Sequence, residues 1–221
     1  MRYLIIAFLL IPGILAKSQV LLNPNYSFKT HETLNLERIE LRAERTSLYF
    51  SITNLIEEGS FCVNKNTYLM LPSGEKIKLT AIAGIPQCPD NYSFLFKGES
   101  LKFQLDFPAL KENPVCIDII EDCQDACFSY IGVITDPEMN REIEDAYNDL
   151  QNGFYEDAEI RYKSLIEKLE GKSLSIESGF YIYLIQSLKL AGKREEALIW
   201  KEKLMTKKPP YFERALGAIV E

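Results

Sequence analysis

The chain has 221 residues, 47% hydrophobic and 26% charged, with a formal net charge of −7. This balance excludes a disordered tail, a collagen-like fibre and a polytopic membrane protein. An acidic chain is poorly suited to gripping phosphates, so no nucleic-acid partner is expected. The one histidine, His31, excludes histidine-rich metal sites and reads as an exposed side chain in a polar stretch.

Residues 1–18 read as a secretory signal peptide. Arg2 precedes an apolar run over 3–16 that contains Pro12 and Gly13 and ends in small residues. A bilayer-spanning helix needs roughly 20 residues, more than this run supplies. Ala16 and Ser18 offer two cleavage points. No stable membrane insertion is expected after cleavage. The mature protein is expected to be secreted, periplasmic or at the cell surface, in a Gram-negative bacterium.

Residues 19–135 carry the alternation of half-buried strands. Leu48, Phe50 and Ile52 alternate with polar neighbours, as do Ile77, Leu79 and Ala81, and Leu101, Phe103, Leu105 and Phe107. Further strands are expected over 34–41, 67–71, 92–96, 115–120 and 128–134, with a hairpin turn at Pro72-Ser73-Gly74-Glu75. Short strands with frequent turns suggest a sandwich or a barrel, of which an antiparallel β-sandwich is the expectation. Near Asp136-Pro137 the period becomes helical. Ile143, Ala146, Tyr147 and Leu150 form one face, followed by Ala158, Tyr162, Leu165 and Ile166, then Tyr181, Leu184, Ile185 and Leu188, then Ala197, Trp200 and Leu204. A last helix is expected over 211–220. The predicted fold class is therefore α+β multidomain: a β-sandwich over 19–135, then a helical hairpin array over 136–221.

The two helix pairs match each other. Gly153 precedes Ala158, and Gly192 precedes Ala197, by the same interval, and Leu165 and Leu204 follow those alanines at the same distance. Ala146, Gly153, Tyr155, Ala158 and Tyr162, then Tyr181, Leu184, Gly192, Ala197, Leu204 and Pro209, resemble the tetratricopeptide repeat (TPR). A small residue there lets two helices approach and aromatics fill the adjoining groove. Ile185 and Lys201 depart from the pattern. The resemblance implies a short docking face for another protein or peptide. The family's basic peptide clamp is not implied, because the first helix carries Glu142, Glu144, Asp145 and Asp149. The strand half, at Ser60-Phe61-Cys62, Glu121-Asp122-Cys123 and around Cys127-Phe128, resembles uncharacterised secreted bacterial sandwich domains, which brings no activity.

All five cysteines lie in the strand half. An exported chain makes disulfides the first reading, with one thiol left over. Several pairings are open. Placement at strand ends and in loops favours Cys62–Cys88 and Cys123–Cys127, with Cys116, inside an apolar strand, as the buried free thiol. A zinc site at Cys123 and Cys127 would need Cys62 and Cys88, or His31, to converge on them. No metal and no cofactor are expected. No nucleophile elbow, P-loop or metalloprotease helix motif occurs.

The expected function is non-catalytic: an exported adaptor binding another protein through its helices. Asn148, Asp149 and Gln186 are the candidate exposed contacts. The alternative is a glycan or small-ligand site on the sandwich, with Tyr49, Tyr68, Tyr92 and Tyr130 as stacking platforms.

Overall fold

The computed structural model describes residues 18–220. Apart from Ser18, the expected signal peptide lies outside the described residues. Five strands, in the order β1 (Gln19–Leu22), β3 (Leu34–Leu41), β4 (Arg45–Thr53), β10 (Ser100–Pro108) and β8 (Ala81–Ala83), form one antiparallel sheet. A second is ordered β2 (Phe28–Lys29), β12 (Ser129–Ile134), β11 (Cys116–Ile120), β6 (Tyr68–Met70) and β7 (Lys76–Lys78). β5 (Ser60–Phe61) and β9 (Tyr92–Ser93) make a small third sheet. Leu48, Phe50 and Ile52 from β4 and Phe103, Leu105 and Phe107 from β10 are buried, as alternation requires. They share one apolar core with Leu69, Ile119 and Tyr130 of the second sheet. The Phe50 and Phe103 rings stack at 5.2 Å.

One expected strand divides. Residues 76–81 do not run on as one element: β7 pairs with β6, whereas β8 pairs with β10 in the other sheet. The chain changes sheets at Leu79 and Thr80, whose amides bond to Thr67 O at 3.0 Å and Asp106 O at 2.8 Å. The crossing shifts the alternation by one residue, so Ile82 faces inward and Ala81 outward. Strands β1, β2 and β5 have no period-two signature. They are too short, and β1 is apolar on both faces. The turn at Pro72–Glu75 joins β6 to β7, with Gly74 at φ +85°.

Five helices follow among the described residues: α1 (Pro137–Gln151), α2 (Tyr155–Lys168), α3 (Glu177–Leu190), α4 (Arg194–Lys207) and α5 (Phe212–Val220). α1 starts where the sequence changes period. The Asp136 side chain accepts a 2.7 Å bond from the Met139 amide, and Pro137 occupies the first turn. Ala158 and Ala197 are buried on α2 and α4, where small side chains permit close helix approach. The second core includes Cys116 and Ile134 from the strands beside Ile143, Leu165, Phe180 and Leu184 from the helices. The two halves therefore share buried surface.

Asp118 ties this junction. Between β11 and β12 the register slips around Asp118, a β-bulge that turns its carboxylate toward the helices. Its oxygens accept bonds from Gly132 N at 2.7 Å, Ser175 Oγ at 2.6 Å and Tyr211 OH at 3.3 Å. Asn25 N and Nδ2 bond to the Asn140 side chain at 2.7 and 3.0 Å, and Ser27 Oγ donates to the backbone at Ser175 and Ile176. Burial pushes the Asp118 carboxyl above its ordinary 3.8, and the three donors only partly oppose this. A raised folded value makes the stabilising contribution complete below the unfolded value, and it is lost as pH rises through the folded one. Asp118→Asn keeps an oxygen acceptor for Gly132 and Ser175 and removes the charge. We expect it to change neutral-pH stability by less than about 1 kcal/mol and to flatten that pH dependence. Urea midpoints from pH 3 to 7 for both proteins check this; parallel profiles would contradict it.

Candidate functional site

Helices α1, α2 and α3 present aromatic residues toward the loop that joins β1 to β2. The result is a cleft of about 430 Å³ lined from the helices by Ile143, Tyr147, Tyr162 and Tyr183 and from the strand half by Asn23, Tyr26 and Asn35. No charged side chain among the described residues lines it. The Tyr162 and Tyr183 rings stack at 5.5 Å, and Tyr147 meets Tyr183 edge-on at 5.7 Å. The Asn25–Asn140 clip fixes the rim, because Asn25 lies in the loop and Asn140 on α1.

The tyrosine hydroxyls influence one another. Burial raises Tyr26, Tyr162 and Tyr183, and the nearby Tyr147 phenol raises all three further. Tyr183 acts on Tyr162, and Asp149 adds a smaller push there. Tyr26, Tyr162 and Tyr183 are therefore protonated at neutral pH and able to donate. Tyr162 is fully buried, yet its hydroxyl has no hydrogen-bond partner among the described residues. An unpartnered buried hydroxyl costs about 1–3 kcal/mol. Tyr162→Phe is expected to leave the stability of the free protein unchanged or raise it by up to about 1 kcal/mol. Chemical denaturation checks this; a loss above that size would mean the hydroxyl is already satisfied.

The expected contact residues are not brought together. Asn148 is exposed on α1. Asp149 is not free: it is half-buried and holds Arg161 Nε at 2.6 Å. Gln186 is exposed on α3 but lines a different cleft, with Ile182 and Ala218. The four tyrosines named as stacking platforms are dispersed. Tyr130 is core and donates to Leu34 O. Arg38 covers Tyr49, Lys76 covers Tyr68, and Tyr92 donates to Glu99 at 2.6 Å. His31 is half-buried rather than exposed, its ring 5.4 Å from Phe61. Burial and Lys29 lower its pKa. Tyr147 and Tyr162 were visible in sequence only as helical core positions, and no local pattern marks the loop asparagines opposite them.

The structure pairs Cys62 with Cys88 and Cys123 with Cys127. Cys116 is a buried free thiol, pushed up to about 11 by burial, so it is a poor nucleophile. No group of His, Cys, Asp or Glu able to hold a metal occurs among the described residues. Three carboxylates, Asp118, Glu121 and Glu177, are raised by burial, but each is engaged separately, Glu177 by Lys207. Glu121 accepts from the Asn64 and Phe128 amides at 2.7 and 3.0 Å. No helix among the described residues is long and apolar enough to cross a membrane. The chain matches no family model and no curated protein.

Proposed function

We propose that this is an exported, non-catalytic binding protein: a β-sandwich joined to a TPR-like helical array, holding a segment of a partner protein in the tyrosine cleft at their junction. The observation that carries this reading is the uncharged, phenol-lined cleft at the junction of strands and helices. Peptide carbonyls are suitable acceptors for convergent phenol donors, and tyrosines supply rigid contact area at small entropic cost. Two shared apolar cores support a sandwich packed against helices, and the buried alanines of α2 and α4 support the repeat. Two disulfides support an oxidising, extracytoplasmic setting, such as a Gram-negative periplasm or cell surface.

The test uses the whole mature chain, because ending it at Asp136 would strip the helices from Cys116 and Ile134. Tyr147 is partly exposed at the rim, so Tyr147→Arg blocks the cleft while leaving the core alone. Cross-linked capture from the native envelope fraction is expected to recover a specific protein with the parent chain and lose it with Tyr147→Arg. A partner kept by the variant would remove the cleft from the reading. A second reading, glycan binding, is favoured by Asn23 and Asn35 beside the phenols. A glycan array in parallel separates it, since sugar binding lost with Tyr147→Arg would replace the protein partner.

A further inference from the structure

Two loops in the strand half, residues 54–59 and 94–99, display large apolar side chains to solvent. Leu95 is 84% exposed, Ile56 62%, Phe96 59% and Leu55 53%. Their backbone is held in place. Buried Asn54 donates from Nδ2 to Ile56 O at 2.7 Å and to Phe96 O at 3.0 Å, and accepts at its carbonyl from Gly98 N at 2.7 Å. Glu99 accepts from Leu95 N at 2.5 Å and from Tyr92 OH at 2.6 Å. Gly59 is pressed against the Asn54 amide, where a Cβ would lie 2.0 Å from Oδ1. This is a preorganised apolar knob, a form that reduces the entropic cost of docking. Glu57 and Glu58 flank it, against one base, Lys97.

The helical half carries a surface of opposite character. A cleft of about 510 Å³ between α3, α4 and α5 has an apolar floor that includes Ile185, Leu198 and Ile219. Its rim is Lys189, Arg194 and Lys201, and no acid among the described residues lines it. The ion pairs of the helices use other cations: Arg161, Lys163, Lys168, Lys193 and Lys207. In a chain of net charge −7, three cations without a carboxylate partner among the described residues, set around an exposed apolar floor, fit an apolar element with an acidic flank.

We infer that the chain associates with a second copy of itself head to tail, the knob of Leu55, Ile56, Leu95 and Phe96 entering the basic-rimmed cleft of the next molecule. The contact joins two different surfaces, so every copy keeps one free knob and one free cleft until the assembly closes. It lies apart from the tyrosine cleft and does not depend on it.

Sedimentation velocity on the mature chain over a wide concentration range tests this. Association is expected to grow with concentration and weaken with added salt. Leu95→Asp with Phe96→Asp should abolish it, as should Arg194→Glu with Lys201→Glu; all four positions are wholly or partly solvent-exposed, and circular dichroism confirms folding. Mixing the two double variants discriminates most sharply. The knob variant keeps its cleft and the cleft variant keeps its knob, so the mixture should form a 1:1 complex and nothing larger. A parent chain that stays monomeric, association unaffected by either variant, or a mixture that stays monomeric would each overturn the inference. A monomeric parent would leave the knob to a different partner.

Discussion

Gly132→Ala is expected to lower the unfolding free energy by about 3–4 kcal/mol, the largest effect of any single methyl group in the junction. Gly132 sits in the bulge opposite Asp118 at φ +66°. A side chain there adopts the left-handed region at a cost of about 1 kcal/mol. Space is the larger problem. An added Cβ would lie 2.7 Å from both N and Cα of Ile176 and 3.0 Å from the Ser175 carbonyl carbon. Those are backbone atoms of the segment entering α3, and no rotamer change relieves the overlap. The segment must retreat, stretching the Ser175–Asp118 and Ser27–Ile176 hydrogen bonds together. Gly74→Ala is the internal control. Gly74 is also left-handed, at φ +85°, but nothing stands within 4 Å of its Cβ position. It should lose only the conformational share, about 1 kcal/mol. Urea unfolding of the parent and both variants separates strain from packing. Equal losses would show that the helical half does not depend on close approach at Gly132.

Removing the Cys62–Cys88 bridge, by Cys62→Ala with Cys88→Ala, is expected to cost about 3.5 kcal/mol from chain entropy alone. The bridge closes a loop with a sequence separation of 26, whereas Cys123–Cys127 has a separation of 4. The same relation gives about 2 kcal/mol for the shorter loop, so their difference is the checkable quantity. The longer loop is also core-bearing. It carries Val63, Leu69 and Leu71, all buried, and sends β6 and β7 into one sheet and β8 into another. Without the bridge, the local ties near it are the Val63–Pro86 and Cys88–Val63 backbone bonds and the β5–β9 pair. Thermal unfolding of the two double-alanine variants under identical conditions checks the order. A larger loss at Cys123–Cys127 would contradict the loop-length account.

The elements read most directly from the residues are those whose pattern is local and repeated. β10 alternates over its nine residues and β4 from Leu48 onward, so the opposite choice of face would bury Ser51 and Lys102; Thr46 and Ser47, both buried, break the pattern at the start of β4. β3 appears at its expected bounds, and the helical stretches follow from apolar spacing and from breaks at Gly153 and Gly192. Strands of two to four residues are different. β2 and β5 contribute too few side chains to declare a period; β2 is held by the longer β12, and β5 pairs with the equally short β9.

The candidate site was least legible, because its parts come from distant positions. Tyr147, Tyr162 and Tyr183 belong to three helices, and Asn23 and Tyr26 to a loop more than a hundred residues earlier. Each tyrosine satisfies a helical core pattern equally well with or without a cleft beside it. Asp149 shows the same gap from the other side: its helical position predicted exposure, and only the approach of α2 brings Arg161 to it.

By itself, then, the sequence determined the change from strand to helix at Asp136, the acidic balance, the alternation of the long strands and the apolar faces of the helices, since each depends on neighbours within a few residues. The tertiary structure decided the sheet change at Thr80, the bulge at Gly132, the seating of Asp118 against Ser175 and Tyr211, and the gathering of the tyrosines. Those depend on which surfaces meet after long loops close, and loop closure leaves no periodic trace in the chain.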